Sequence, residues 1–357
     1  MSSTWGNHIK ISIFGESHGP AIGCVIDGLP AGCAIDEDEV LRQMARRAPG
    51  HDATATPRKE SDRPEWLSGM LDGKTTGAPL AMLIRNENTR SGDYEELRRI
   101  PRPSHADYPA TVRYGGHQDV RGGGHFSGRL TAPIVFAGAI CRQILSARGV
   151  EIGGHIRQIA DVCDRPFDDV AADIRSLNGQ SFPLLDTGKE SAMRAAVAAA
   201  REVGDSVGGV IELAATGMPV GIGNPMFGGV ENVLSSLMFG IPAVKGIEFG
   251  DGFALAAMRG SEANDPYRYQ DGKVTPVTNH NGGILGGITT GAPIVLRAVM
   301  KPTPSIAMPQ QSVDLISGTN AELAVRGRHD PCIVLRAVPV LEAALAIGLL
   351  DLWEGQR

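Results

Sequence analysis

Apolar and polar residues alternate along residues 8–14 (HIKISIF) and again along 21–27 (AIGCVID), the two-residue period of strands with one buried face. Gly15-Glu16-Ser17-His18-Gly19 joins them, and DGLPAG closes the pair as turn punctuation. Asp36, with Glu39 three residues on and Ile35 just ahead, starts a helix that runs through EDEVLRQMARR and stops before Pro49-Gly50. Polar residues dominate 51–64 and 86–104, so weakly structured connections are expected on either side of a strand in GKTTGAPLAMLIRN. Ile134, Ala137, Ile140, Cys141, Ile144 and Leu145 recur at helical spacing, which predicts a buried helix ending at Gly149, with Gly122, Gly123 and Gly124 feeding its N-terminus. An alanine-rich helix over 189–203, strands near 207–222, a helix over 231–239, glycine pairs between short strands over 278–306 and a final apolar helix, LEAALAIGLLDLW, complete the pattern. Neither an internal repeat nor a low-complexity linker interrupts it, so the reading is one compact α+β domain over 1–357.

Composition narrows the class. A chain with 42% hydrophobic and 21% charged residues has the balance of a globular protein with a sizeable core. Its net charge of -6 argues against a general nucleic-acid or membrane surface, so any anionic ligand must be met by a local cluster of cations. Cys24, Cys33, Cys141, Cys163 and Cys332 are odd in number and form no C-x-x-C pair, which indicates neither a disulfide framework nor a zinc knuckle. No secretory h-region and no membrane-span-length apolar run is evident, so a cytoplasmic location is expected.

Three histidines keep unusual company: His18 in GESHG, His105 in RPSHADY and His329 in GRHDPC, each within two positions of an acid or an arginine. Taken singly, each reads as an ordinary hydrogen-bonded side chain; together they offer groups that exchange protons near neutral pH. Their spacing matches no metal motif, and Ser17 lacks the G-x-S-x-G setting of a nucleophile elbow. Arg47, Arg102, Arg121, Arg129 and Arg328, with Lys301, gather in the same glycine-rich loops, where guanidinium forks suit carboxylates and phosphates. The residues therefore point to an enzyme acting on a small polyanion with histidine acid/base groups.

GESHG followed by GCVIDGLPAG, then RPSHADY, RGGG, NHNGGILGGITTG, KPTPS and GRHDPCIVLRAVPVLEA, in this order and at these intervals, resembles the chorismate synthase family across nearly the whole chain. The resemblance implies a β-α-β sandwich of antiparallel sheets around helices, not a Rossmann fold, assembled as a homotetramer. It implies a shikimate-pathway lyase that converts 5-enolpyruvylshikimate 3-phosphate to chorismate and phosphate by 1,4-anti elimination, with reduced FMN required although no net redox change occurs. By the same resemblance His18 protonates the departing phosphate, His105 protonates the reduced flavin, and Asp330 assists removal of the ring proton. Arg47, Ser127, Arg129 and Arg328 match substrate-binding positions. His125, Phe126, Ser127, Ala243, Gly286, Lys301, Pro302, Thr303, Pro304, Ser305 and Arg328 match the flavin site. No metal is implied.

Departures from the family pattern are local. A common third arginine before the proline is Ala48 here, a later arginine is Ala53, and Pro242 stands where a polar side chain is usual. The common R-S-S-A-R-E-T reads His125-Phe126-Ser127-Gly128-Arg129-Leu130-Thr131, which suggests that Phe126 packs on the flavin and His125 replaces an arginine at the phosphate. A divergent flavin-dependent reductase and a non-catalytic flavin-binding protein are the alternatives. NADPH enters only if the chain reduces its own flavin, and its ordinary length favours a separate flavin reductase.

Overall fold

The computed structural model describes residues 3–50, 62–86, 95–325 and 330–356. The alternating N-terminal segments pair as expected. Strands β1 (Thr4–Trp5), β2 (Lys10–Gly15) and β3 (Ala21–Asp27) join β4 (Glu65–Ser68) and β5 (Leu80–Arg85) in an antiparallel sheet of order β1-β2-β3-β5-β4. Ile22, Cys24 and Ile26 of β3 and Leu80, Met82 and Ile84 of β5 are buried at every second position, which is what the period of two requires. Gly15 ends β2 at φ +94°, where a Cβ would lie 2.2 Å from the Ala21 carbonyl. Strand pairing therefore demands this glycine of GESHG without any reference to a ligand.

Helix α1 (Glu37–Arg47) begins at Asp36, whose carboxylate accepts from the amides of Asp38 and Glu39. Glu39 does not complete a capping box, since its carboxylate takes Arg42 and Gln43, and the Asp36 amide donates instead to Gln143 of a neighbouring helix. After α2 (Asp107–Tyr114) comes α3 (Thr131–Ser146), the buried helix of the sequence reading. The three glycines do not open it. They form a separate left-handed stretch at φ +60°, +84° and +55°, and residues 125–130 intervene before the helix starts.

A second antiparallel sheet takes β6 (Glu151–Ile159), β7 (Val162–Cys163), β8 (Gly209–Thr216), β9 (Val244–Phe249) and β10 (Ile294–Met300) in the order β9-β10-β8-β6-β7. Helices α4 (Val170–Leu177) and α5 (Glu190–Glu202) pack on one side of it, and α6 (Val230–Met238) and α7 (Val334–Glu354) lie on the other. Helix α7 starts seven residues before the predicted LEAALAIGLLDLW and carries Pro339 inside it. It packs on α3 so closely that a Cβ at Gly138 would stand 2.2 Å from the Ala343 Cβ. Helices α3 and α7 thus form an apolar layer between the two sheets, an α+β sandwich with one continuous core. Among the described residues no helix is long and apolar enough to cross a membrane.

Candidate active site

At one end of the helical layer the loops after β2, before α2 and before α3 converge on a cavity of about 1550 Å³. That exceeds the roughly 300–1,000 Å³ taken by one small ligand, so two can lie in it together. Arg47, Arg102, Arg129, Lys245, Lys301 and Arg336 line it, opposed by the carboxylates of Glu96 and Asp330. A chain of net charge -6 has concentrated cations here, a setting that suits anions.

The histidines are brought together by the glycine run. His18 is buried in the loop between β2 and β3, and a Cβ on Gly122 would lie 2.1 Å from its Cε1 and Nδ1. A Cβ on the next residue, Gly123, would lie 3.4 Å from the Nε2 of His105. The left-handed glycines therefore lie against both imidazoles, Gly122 at His18 and Gly123 at His105, and the Ser17 amide donates to the Gly124 carbonyl to hold the loop against GESHG. His105 follows Ser104, a non-glycine residue at φ +57° whose carbonyl accepts from Lys301 Nζ at 2.5 Å. Burial first, and the neighbouring Lys245 second, lower the pKa of the Lys301 ammonium below its ordinary value.

Two of the substrate-binding candidates share one buried carboxylate. Asp62 takes Arg47 Nη2 at 2.8 Å and Arg129 Nη1 at 2.6 Å, while Arg129 Nε donates to Asn86 Oδ1 at 2.8 Å. Arg47 reaches this point because α1 ends there, and Arg129 because the turn before α3 carries it, with the Ser127 hydroxyl accepting from the Arg129 amide. Asp330 faces the cavity and accepts from Arg336 Nη1 at 2.5 Å, and Arg336 Nε donates to the Arg47 carbonyl at 3.0 Å. Asp62, Asn86, Lys245 and Arg336 were absent from the sequence reading, because each is joined to the site only by the fold.

The remaining candidates divide. Ala243, at φ +76°, and Lys301, Thr303, Pro304 and Ser305 line the cavity, as do His125, Phe126 and Ser127. Pro302 and Gly286 are not among its lining residues, and Gly286 instead turns the hairpin Ile284–Leu285 to Ile288–Thr289. Arg328 and His329 lie outside the described residues. His125 donates from Nδ1 to the Gly15 carbonyl, and its Nε2 meets the Ser3 hydroxyl, both at 2.7 Å, so both ring nitrogens are engaged within the chain. Phe126 packs near Tyr114, with ring centroids 6.3 Å apart. Among the described residues no group of histidine, cysteine and carboxylate side chains is placed to hold a metal ion.

The family model described as chorismate synthase matches residues 9–353. The chain is 47% identical over 350 residues to the chorismate synthase of Korarchaeum cryptofilum, covering 97% of this chain and 96% of that one. It is 45% identical over 356 residues to the chorismate synthase of Thermococcus kodakarensis, covering 98% and 99%. A solved structure titled "Crystal Structure of Chorismate Synthase" superposes with a TM-score of 0.77 at 26% identity, covering 99% of this chain and 93% of that one. With its motifs, its sandwich and its relatives in agreement from end to end, the chain belongs to the chorismate synthase family, the enzymes that form chorismate.

Proposed function

We propose that this chain removes phosphate and a ring proton from 5-enolpyruvylshikimate 3-phosphate by 1,4-anti elimination, in a cavity that also holds reduced FMN. The observation that carries the reading is the placement of His18 and His105, each against one of the adjacent glycines Gly122 and Gly123, in the lining of one cation-lined cavity large enough for two ligands. Substrate and flavin between them bring two carboxylates and two phosphates, and the six lining cations suit that load. Thr303 Oγ1 is buried and, among the described residues, meets no hydrogen-bond partner, which fits a donor reserved for a ligand oxygen. Lys301, Thr303 and Ser305 would hold the flavin with the backbone at Ala243, and reduced FMN, when bound, supplies electron density to an elimination that has no net redox change.

The chain's own residues then have separable tasks. Arg47 and Arg129, braced by Asp62, orient the substrate anions. His18 delivers a proton to the phosphate oxygen as the carbon–oxygen bond breaks. Asp330, steadied by Arg336, receives the ring proton whose carbon–hydrogen electron pair becomes the new double bond. His105, which lines the cavity, exchanges a proton with the bound ligands. His18, Arg47, Asp62 and Arg129 are buried, which strengthens the charge interactions they make. A homotetramer and flavin reduced by a separate enzyme complete the proposal.

The test is anaerobic turnover with chemically reduced FMN, compared with oxidised FMN and with His18→Ala. Product should appear only with reduced flavin, and His18→Ala should lower kcat by about 10²–10⁴-fold, the usual contribution of a positioned acid. Product with oxidised flavin, stoichiometric loss of NADPH, or full activity in His18→Ala would contradict the reading.

A further inference from the structure

His105 sits on an acid that faces away from the ligands. Its Nδ1 lies 2.6 Å from Asp107 Oδ1, and Arg102 clamps the same carboxylate with Nε on Oδ2 at 2.7 Å and Nη2 on Oδ1 at 2.8 Å. The Arg102 amide adds a bond to Oδ2 at 3.0 Å, and Arg102 Nη1 donates to the Ser305 hydroxyl at 3.2 Å. Arg102 and Asp107 are both buried. Arg102 Nη2 also lies 3.1 Å from His105 Nδ1, but a guanidinium and a ring N–H both donate, so only one of the two can be bonded to the other's acceptor. The carboxylate decides: burial works against its charge, yet the bonds from Arg102 and His105 hold Asp107 well below the usual carboxylate range. An ionised Asp107 only accepts, so Nδ1 must carry the proton.

We infer that Asp107, braced by Arg102, is a positioning residue that locks His105 as the Nδ1–H tautomer, so that proton exchange with the cavity takes place at Nε2 alone. Nε2 is the ring atom nearest Gly123, on the side of the ring away from Asp107, and His105 is a lining residue of the cavity. The inference deepens the reading of His105 as a proton carrier and rests on it for its catalytic consequence. The tautomer itself does not depend on that reading.

Long-range ¹H–¹⁵N correlation of the intact, ¹⁵N-histidine-labelled protein, with His105 assigned by its loss in His105→Gln, reads the tautomer directly. The expected result is a protonated Nδ1 and a lone-pair Nε2 in the neutral ring. Asp107→Asn, whose amide can turn its donor to the ring, should give the opposite or a mixed tautomer. It should lower kcat by about 10²–10⁴-fold with KM little changed, and Asp107→Glu should recover part of the loss. A protonated Nε2 in the wild-type ring, or an Asp107→Asn protein with unchanged tautomer and kcat, overturns the inference. Full activity in His105→Gln would instead overturn the reading of His105 and leave the tautomer assignment standing.

Discussion

A methyl group at position 122 would stand 2.1 Å from the His18 ring, on a backbone turned to φ +60°. Gly122→Ala must therefore displace the imidazole or the loop, and a misplaced acid costs about as much as an absent one. Its kcat is expected to fall about 10²–10⁴-fold, with a lowered melting temperature from the strained backbone. Gly128→Ala, where a Cβ meets nothing within 4 Å, should keep near-normal activity. Equal activity in the two variants would refute this account of the glycine run. At this scale the sequence displayed His18, His105 and the arginines, because unusual residue types in glycine-rich loops are visible in one dimension. It did not display Asp62, fifteen residues beyond Arg47 in a polar stretch, or Arg336 inside an apolar helix. Asp107 lay in plain view two residues after His105, and only the 2.6 Å contact gives it a task.

Elements with a clean period were legible, as β2, β3, α1 and α3 show. Strand β6 was not, since Gly153 and Gly154 interrupt it and five consecutive residues, Ile152–Ile156, are buried, leaving no alternation to read. The early start of α7 was hidden by Pro339, a residue that ordinarily argues for a boundary. The far end of α7 does something no pattern shows. Asp351 is buried and accepts from the amides of Asn7, His8 and Ile9 at 3.0, 2.7 and 2.8 Å, fastening the approach to β2 to the central helix. Asp351→Asn keeps an oxygen to accept these three bonds, all of which go to Oδ1, but removes its charge. Loss of about 2–3 kcal/mol is expected in urea unfolding, from bonds to a charged acceptor. A change within 0.5 kcal/mol of zero would show that the carboxylate does not secure the N-terminal strand.

At the scale of the molecule, a row of charges apart from the cavity crosses the second sheet. In that row His155 bonds Asp164 from Nδ1 and Glu212 from Nε2, both at 3.0 Å, and Arg297 lies 3.9 Å from Glu212 and 2.7 Å from Glu248. Burial works against the charged His155 ring, but the two carboxylates outweigh it and raise its pKa. The stability this gives is complete below the unfolded-state value of about 6.5. It is lost as pH rises through the higher folded value. The melting temperature should accordingly fall as pH rises above about 6.5. His155→Ala, which leaves two carboxylates facing each other, should cost about 3–5 kcal/mol below neutral pH and remove that slope. A melting temperature flat with pH in the wild-type protein would contradict the row's ionic character. The chemistry of the cavity is read out by counting products. In anaerobic single turnover with reduced FMN, each 5-enolpyruvylshikimate 3-phosphate consumed should yield one chorismate and one phosphate, with the flavin reduced at the end as at the start. Phosphate without chorismate, or flavin oxidised in proportion to product, would contradict an elimination run by this cavity.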